Sequence, residues 1–268
     1  MQPNNLTHIQ SIRNDTSTTC YRIFSPKPNA SKRLFILPHA SGSASYFRQW
    51  HELVDADVEV VVIQYPGREN RISKPLINDM SQLVTTLAVG LRPLLNKPFV
   101  IFGHSMGGAV AYELTLKIQS YRYREPCHLV ISAIEGPSCH HQGELYRASD
   151  EQLLAELTRL NGTQVDFNQY PELADMVLPL MRNDYQLIET YQPDLNAAKI
   201  ACPVTVMAAE QDTELTIAEA QTWQQVCASS FTIKTYPGDH FYISSQASNV
   251  TKYICNLYPN NQNWLCAP

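Results

Sequence analysis

The sequence predicts an α/β fold, a mostly parallel central sheet flanked by helices and interrupted by an inserted helical lid. Short, fully apolar runs rich in β-branched residues alternate with helix-spaced patterns, as in parallel βαβ units whose crossover helices cover both sheet faces. That alternation stops between residues 137 and 197, where helical patterns follow one another without a strand. A G-x-S-x-G pentapeptide also stands between an apolar run and a helical pattern, the context in which such a turn raises a serine above the sheet edge.

A chain of 268 residues with 44% hydrophobic content can bury one large core without disulfides or metals. The net charge of −5 and the scattered lysines and arginines offer no field for nucleic acid. Met1 to Ser11 is polar and lacks a signal pattern, and no run approaches the roughly 20 apolar residues that span a bilayer. A soluble, cytoplasmic, monomeric protein is expected. The seven cysteines include no C-x-x-C pair, so reduced thiols are expected. Cys139, His140 and His141 are sequence neighbours that do not easily converge on one tetrahedral ion, so they read as a polar loop and no metal is expected.

Leu34 to Leu37, Val58 to Ile63, Phe99 to Phe102, His128 to Ala133, Val204 to Ala209 and Phe231 to Tyr236 read as buried strands. Between them, Met80 to Leu95 carries Leu83, Leu87, Leu91 and Leu94 at helical spacing, and Met106 to Ile118 is apolar on most sides, as a helix packed on a sheet should be. In the strandless stretch, Ser149 and Gln152 form a capping box for a helix containing Leu153, Leu154, Leu157 and Leu160, which stops at Asn161-Gly162. A second helix starts after Pro171, an interruption is expected at Pro179, and a third runs from about Met181 to Tyr191. The expected organisation is a core of residues 1–136 and 198–268 with a helical lid at 137–197. The end beyond Tyr258 reads as a loose tail.

Gly103-His104-Ser105-Met106-Gly107 makes Ser105 the candidate nucleophile. Residues two before and two after the serine come into close contact in so tight a turn, and glycine removes the clash. A helix beginning at Met106 points its unpaired amides at the reacting centre. This strand-elbow-helix arrangement resembles that of the α/β-hydrolases, where the order is nucleophile, acid, histidine. His240, the last of eight histidines, follows the last predicted strand and is the candidate base. His39 borders the pocket in this reading, whereas His104 packs locally inside the elbow. Asp212, after the run Val204 to Ala209, is the candidate acid that orients the imidazole. Glu135 competes from the preceding strand end, Glu210 and Glu214 flank Asp212, and Asp239 reads as a turn residue.

An oxyanion needs two preorganised amides. Met106 supplies one; the small residues of Pro38-His39-Ala40-Ser41-Gly42-Ser43-Ala44 let the backbone approach, with Ala40 the second donor. Pro66-Gly67-Arg68-Glu69 follows another strand, and Arg68 either meets a phosphate at the mouth or forms an internal salt bridge.

Together these segments resemble the type II thioesterases that accompany non-ribosomal peptide and polyketide synthases. That family's pattern runs P-H-A-G-G-S-A, P-G-R-E, G-H-S-M-G-A, R-x-D-[FY], an aspartate at a strand end, and G-x-H-F. Here it corresponds to Pro38 to Ala44, Pro66 to Glu69, Gly103 to Gly108, Arg182-Asn183-Asp184-Tyr185, Asp212, and Gly238-Asp239-His240-Phe241. The departures are Ser41 and Gly108, where the family has Gly and Ala, and Ala208-Ala209, where glycine is usual. The resemblance implies hydrolysis of acyl or aminoacyl groups from the phosphopantetheine arm of acyl or peptidyl carrier protein domains, clearing misprimed or stalled synthases of siderophore or antibiotic biosynthesis. It implies no cofactor beyond the phosphopantetheine of the substrate protein, and an acyl pocket lined from the lid by Met176, Leu180, Tyr185 and Leu187. The alternatives are a general carboxylesterase or lipase acting on small oxygen esters or acyl-CoA, a docking protein without chemistry, and an excised terminal synthase domain. Against the last, a chain starting at Met1 with no carrier-like segment reads as an independent protein.

Overall fold

The computed structural model describes residues 19–161 and 170–259. His8, the polar N-terminal segment, Gly162 and the tail at 260–268 lie outside the described residues, as do the side chains of Leu160 and Asn161.

Seven strands form one sheet in the order β1-β3-β2-β4-β5-β6-β7. They are β1 (Tyr21–Arg22), β2 (Lys32–Leu37), β3 (Val58–Ile63), β4 (Phe99–His104), β5 (His128–Ser132), β6 (Val204–Ala209) and β7 (Phe231–Tyr236). All pairings are parallel except that of β1 with β3. The two-residue β1 has too short a pattern to show in the sequence; it adds to the sheet through Tyr21 opposite Ile63. Successive residues of a strand face opposite sides, so Phe35 and Leu37 of β2 enter one core while Leu34 and Ile36 enter the other. The last strand departs from expectation. β7 is an edge strand with Thr232, Lys234 and Thr235 exposed, because only β6 pairs with it.

Helices α1 (Trp50–Leu53), α2 (Met80–Leu91) and α3 (Met106–Ser120) flank the first half of the sheet, and α2 is capped by Asp79, whose carboxylate accepts from the Gln82 amide at 2.7 Å. The predicted helix to Leu95 turns into a 3-10 turn at Arg92–Leu94, where Pro93 cannot donate to the α ladder. Leu83, Leu87, Val110 and Leu114 join the core on one face, and Trp50 with Val250 and Ile254 closes the other. Those last two belong to α7 (Ala247–Cys255).

Between β5 and β6 the described residues hold helices and turns and, apart from a single bridge of Ile200 to Cys227, no strand pairing. The chief ones are α4 (Asp150–Asn161) and α5 (Pro171–Glu189). The Ser149 hydroxyl accepts from the Gln152 amide at 3.3 Å, and the Gln152 side chain accepts from the Ser149 amide at 3.0 Å, closing the capping box. Pro179 does not divide α5. The helix runs through it, because proline removes one ladder bond while the burial of Met181, Asp184 and Leu187 fixes the following turns from outside. A short α6 (Ile217–Gln221), opened by a Thr216–Glu219 capping box, follows β6.

The chain passes from β2 outward to β3, then returns to continue through β4 on the other side of β2. This reversal opens a crevice beyond the carboxyl ends of β2 and β4, where ligands bind in open α/β sheets. The loop after β2 and the elbow after β4 both end there. No helix among the described residues is long and apolar enough to cross a membrane.

Candidate active site

Ser105 joins β4 to α3 with φ 54° and ψ −125°, a conformation that L-residues adopt only when their surroundings enforce it. Its amide donates to Ser132 O at 2.7 Å, and Ser105 O accepts from the Gly108 amide at 2.7 Å. A Cβ at Gly103 would lie 2.0 Å from Gly107 O, and one at Gly107 would lie 2.1 Å from Leu37 O. The glycines therefore let the elbow close on itself and press against the end of β2.

One cavity is lined by Ser105, Met106, Ala40, His39, Tyr185 and His240, among others. His240 is buried, and its Nδ1 lies 3.1 Å from each oxygen of Asp212. The Asp212 side chain is fully covered, and its Oδ1 also accepts from the Glu214 amide at 2.8 Å. Glu135 lines the cavity but meets a different histidine, His140 Nδ1, at 2.9 Å. Burial pushes the Glu135 carboxyl up, yet the hydrogen bonds from His140 and nearby amides outweigh it and hold the group below its ordinary range. Asp239 accepts from the Phe241 amide at 2.9 Å, within its own turn.

Four side chains, Arg68, Met176, Leu180 and Leu187, sit elsewhere than the mouth or pocket wall expected of them. Arg68 is only 3% exposed and forms a two-pronged ion pair with Asp184 of α5, at 2.8 and 3.0 Å. It is therefore the internal salt bridge and not a phosphate contact at the mouth. Of the four lid residues expected to line the pocket, Tyr185 does; Leu187 is buried in the core and Met176 is exposed. Helical spacing identifies an apolar stripe but not what it covers. Among the described residues of the inserted segment, Leu157, Met181 and Ile188 line the cavity beside Tyr185.

Several contacts were not legible in the sequence. His104 Nδ1 meets the Ser132 hydroxyl at 2.8 Å, which meets the Tyr242 hydroxyl at 2.7 Å, so a buried polar chain runs beneath His240. Arg159 of α4 reaches Glu214 at 2.8 Å, so the segment that steadies Asp212 is itself tied to the inserted helices. No local signal marks such pairs, because their partners lie far apart in sequence.

His39 has its pKa lowered to about 3, first by burial and then by the nearby His240 and Arg68 charges, and burial lowers His128 to about 4. Burial also drives His104 well below the ordinary range. An imidazole kept neutral in the fold but protonated in the unfolded chain favours unfolding once pH falls below its unfolded pKa near 6.5. Stability is thus expected to fall as pH drops from about 6.5 toward 4, by roughly 1.4 kcal/mol per pH unit for each such histidine. Urea unfolding at a series of pH values checks this, and His128→Gln should flatten the slope.

Ser41, where glycine is usual in the resembling family, has φ 61°. A side chain there costs about 1–2 kcal/mol in backbone strain, partly offset by the lower freedom of serine in the unfolded chain. Ser41→Gly is expected to raise stability by about 0.5 kcal/mol and leave turnover unchanged, as read by thermal denaturation and a thiol-release assay.

No disulfide joins the six cysteines among the described residues, and no group of three or more His, Cys, Asp or Glu side chains among the described residues is arranged to hold a metal ion. Residues 32–257 match the thioesterase domain family. The chain is 35% identical to the thioesterase PikA5 of Streptomyces venezuelae over 88% of its own length and 82% of that protein. It is 33% identical to the gramicidin S biosynthesis protein GrsT of Aneurinibacillus migulanus over 84% and 88%. Among solved structures, the type II thioesterase BorB from the borrelidin biosynthetic cluster superposes with a TM-score of 0.81 at 32% identity, covering 88% of this chain and 96% of that one. With a family match that spans six of the seven strands and both sides of the crevice, the chain belongs to the thioesterase domain family and is an enzyme of the α/β-hydrolase fold.

Proposed function

We propose that the protein hydrolyses acyl or aminoacyl thioesters carried on the phosphopantetheine arm of carrier protein domains, by a Ser105, His240, Asp212 triad. The observation that carries this reading is the shared cavity of Ser105 and His240, with the Asp212 carboxylate behind the imidazole. An ionised carboxylate only accepts hydrogen bonds, so Nδ1 carries its proton toward Asp212 and Nε2 is left free to accept one. Ser105 Oγ then attacks the thioester carbonyl carbon as its proton passes to His240 Nε2. The amides of Ala40 and Met106 hold the oxyanion. As the C–S bond breaks, the imidazolium returns the proton to the departing thiolate, leaving an acyl-serine. A water molecule, deprotonated by His240, attacks that ester, and the carboxylic acid leaves as Ser105 regains its proton. No step needs a metal or a cofactor of the protein's own.

Residues 137–197 act in this reading as the lid over the acyl pocket, since Leu157, Met181, Tyr185 and Ile188 line the cavity. The carrier-bound substrate is supported by the relatives: GrsT is named for gramicidin S biosynthesis, and BorB is a type II thioesterase of a biosynthetic cluster. The test is a hydrolysis panel of acetyl-, longer acyl- and aminoacyl-loaded carrier proteins beside the matching acyl-CoA and small oxygen esters. Higher kcat/KM on loaded carriers supports the proposal. Preference for free oxygen esters or acyl-CoA would make the protein a general esterase or acyl-CoA hydrolase instead.

A further inference from the structure

Asp184 takes no part in the proton transfers, yet it is 2% exposed and accepts four hydrogen bonds. Two come from Arg68 and one from the Asn183 side chain at 3.1 Å. The fourth comes from the backbone amide of Ser41, at 2.7 Å. Arg68 in turn donates to Gly42 O at 2.7 Å, and the Tyr65 hydroxyl donates to Pro38 O at 3.2 Å. The loop after β2 is thus held at residues 38, 41 and 42, on both sides of Ala40. Ser41 also has positive φ, a conformation that its surroundings must enforce.

We propose that Asp184 is a positioning residue for the oxyanion hole: by holding the Ser41 amide from helix α5, it fixes the adjacent Ala40 amide at the reacting carbonyl. The inference rests on the Ala40 role given under the proposed function. Two peptide groups that share Ala40 are linked through only that residue's φ and ψ. Once the Ser41 N–H is aimed at a buried carboxylate and Gly42 O at a guanidinium, those angles have little freedom, and the Ala40 N–H direction is set before substrate arrives. Preorganised donors of this kind act without reorganising during the reaction. Asp184 belongs to the inserted segment, 143 residues from Ser41 in sequence. Seating of α5 and formation of the hole are therefore one event, so the hole is complete only when the inserted helix covers the cavity.

Two variants separate this role from a structural one. Arg68→Met/Asp184→Leu removes both charges together, so neither remains buried alone, and such replacements of buried ion pairs are often near neutral in stability. It is expected to melt close to the wild type, keep KM for a loaded carrier within about threefold, and lose about 10- to 100-fold in kcat, less than or equal to the loss on deleting an oxyanion donor. Asp184→Asn leaves an oxygen for the Ser41 amide but strands the Arg68 charge. It should therefore melt lower while keeping kcat within about threefold. A folded double variant with wild-type kcat, or a tenfold or greater kcat loss in the folded Asp184→Asn protein, overturns the role of Asp184. Should the double variant fail to fold, Asp184→Asn decides alone. Absence of fluorophosphonate labelling at Ser105 in the wild-type protein would instead overturn the triad on which the inference rests, so the two failures are distinct.

Discussion

Ser105→Ala is expected to lower kcat for a loaded carrier protein by about 10⁴-fold or more while leaving the melting temperature nearly unchanged. The large effect follows from the chemistry: without the hydroxyl no acyl-enzyme forms, and only binding and the oxyanion donors are left to accelerate direct attack by water. The small effect on stability follows from the elbow. Its geometry depends on Gly103, Gly107 and the bonds from the Ser105 amide to Ser132 O and from Gly108 to Ser105 O, none of which uses the side chain. Alanine at φ 54° carries the same backbone strain as serine. Thiol release from loaded carriers, with thermal denaturation of both proteins, gives the two numbers. A kcat within tenfold of wild type would refute the nucleophile, whereas lost activity with an equally lowered melting temperature would show only a damaged fold.

Asp212→Asn is expected to cost about 10³- to 10⁴-fold in kcat, and Glu135→Gln less than tenfold. Both carboxylates stand beyond strand ends and each meets an imidazole, but His140, the partner of Glu135, does not line the cavity of Ser105, whereas His240, the partner of Asp212, does. An asparagine amide can donate to His240 Nδ1 and so favour the tautomer whose Nε2 carries a proton, which cannot take the serine proton. The loss should shrink as pH rises, when deprotonation of other groups supplies alternative bases, so kcat is to be measured from pH 6 to 10. Glu135 pairs with His140, whose Nε2 meets Ile188 O of α5 at 2.9 Å. Its removal should lower thermal stability by about 1–3 kcal/mol, the usual penalty for orphaning a buried hydrogen-bond partner. A larger kcat loss in Glu135→Gln than in Asp212→Asn would move the acid to Glu135.

The boundaries between prediction and outcome follow the range of the forces involved. β6 spans the residues read from its apolar run, and the capping box at Ser149 and Gln152 closes where its spacing put it, because strand hydrophobicity and helix capping act over a few neighbouring residues. Three local rules met opposition from tertiary packing. Pro179 lies inside α5 and not at its break; β7 is an edge strand despite its apolar run; and the two-residue β1 is held only by its pairing with β3. Arg68 shows the same limit at the site. Its place after a strand suggested the mouth, but the partner that draws it inward stands 116 residues away on the inserted helix.

By itself the sequence determined the alternation of strand and helix, the cramped turn that presents Ser105, and the chain order that put Asp212 and His240 forward. These depend on side-chain size, glycine sterics and apolar spacing, all properties of contiguous segments. The tertiary structure alone decided which carboxylate meets which histidine, that Arg68 is turned inward, and that an inserted helix grips the loop beside Ala40. The decisive pairings, Asp212 with His240, Arg68 with Asp184 and Asp184 with Ser41, span tens to more than a hundred residues. Such pairs form only after the sheet has brought its loops to one edge, and nothing in the local sequence around either partner encodes the other.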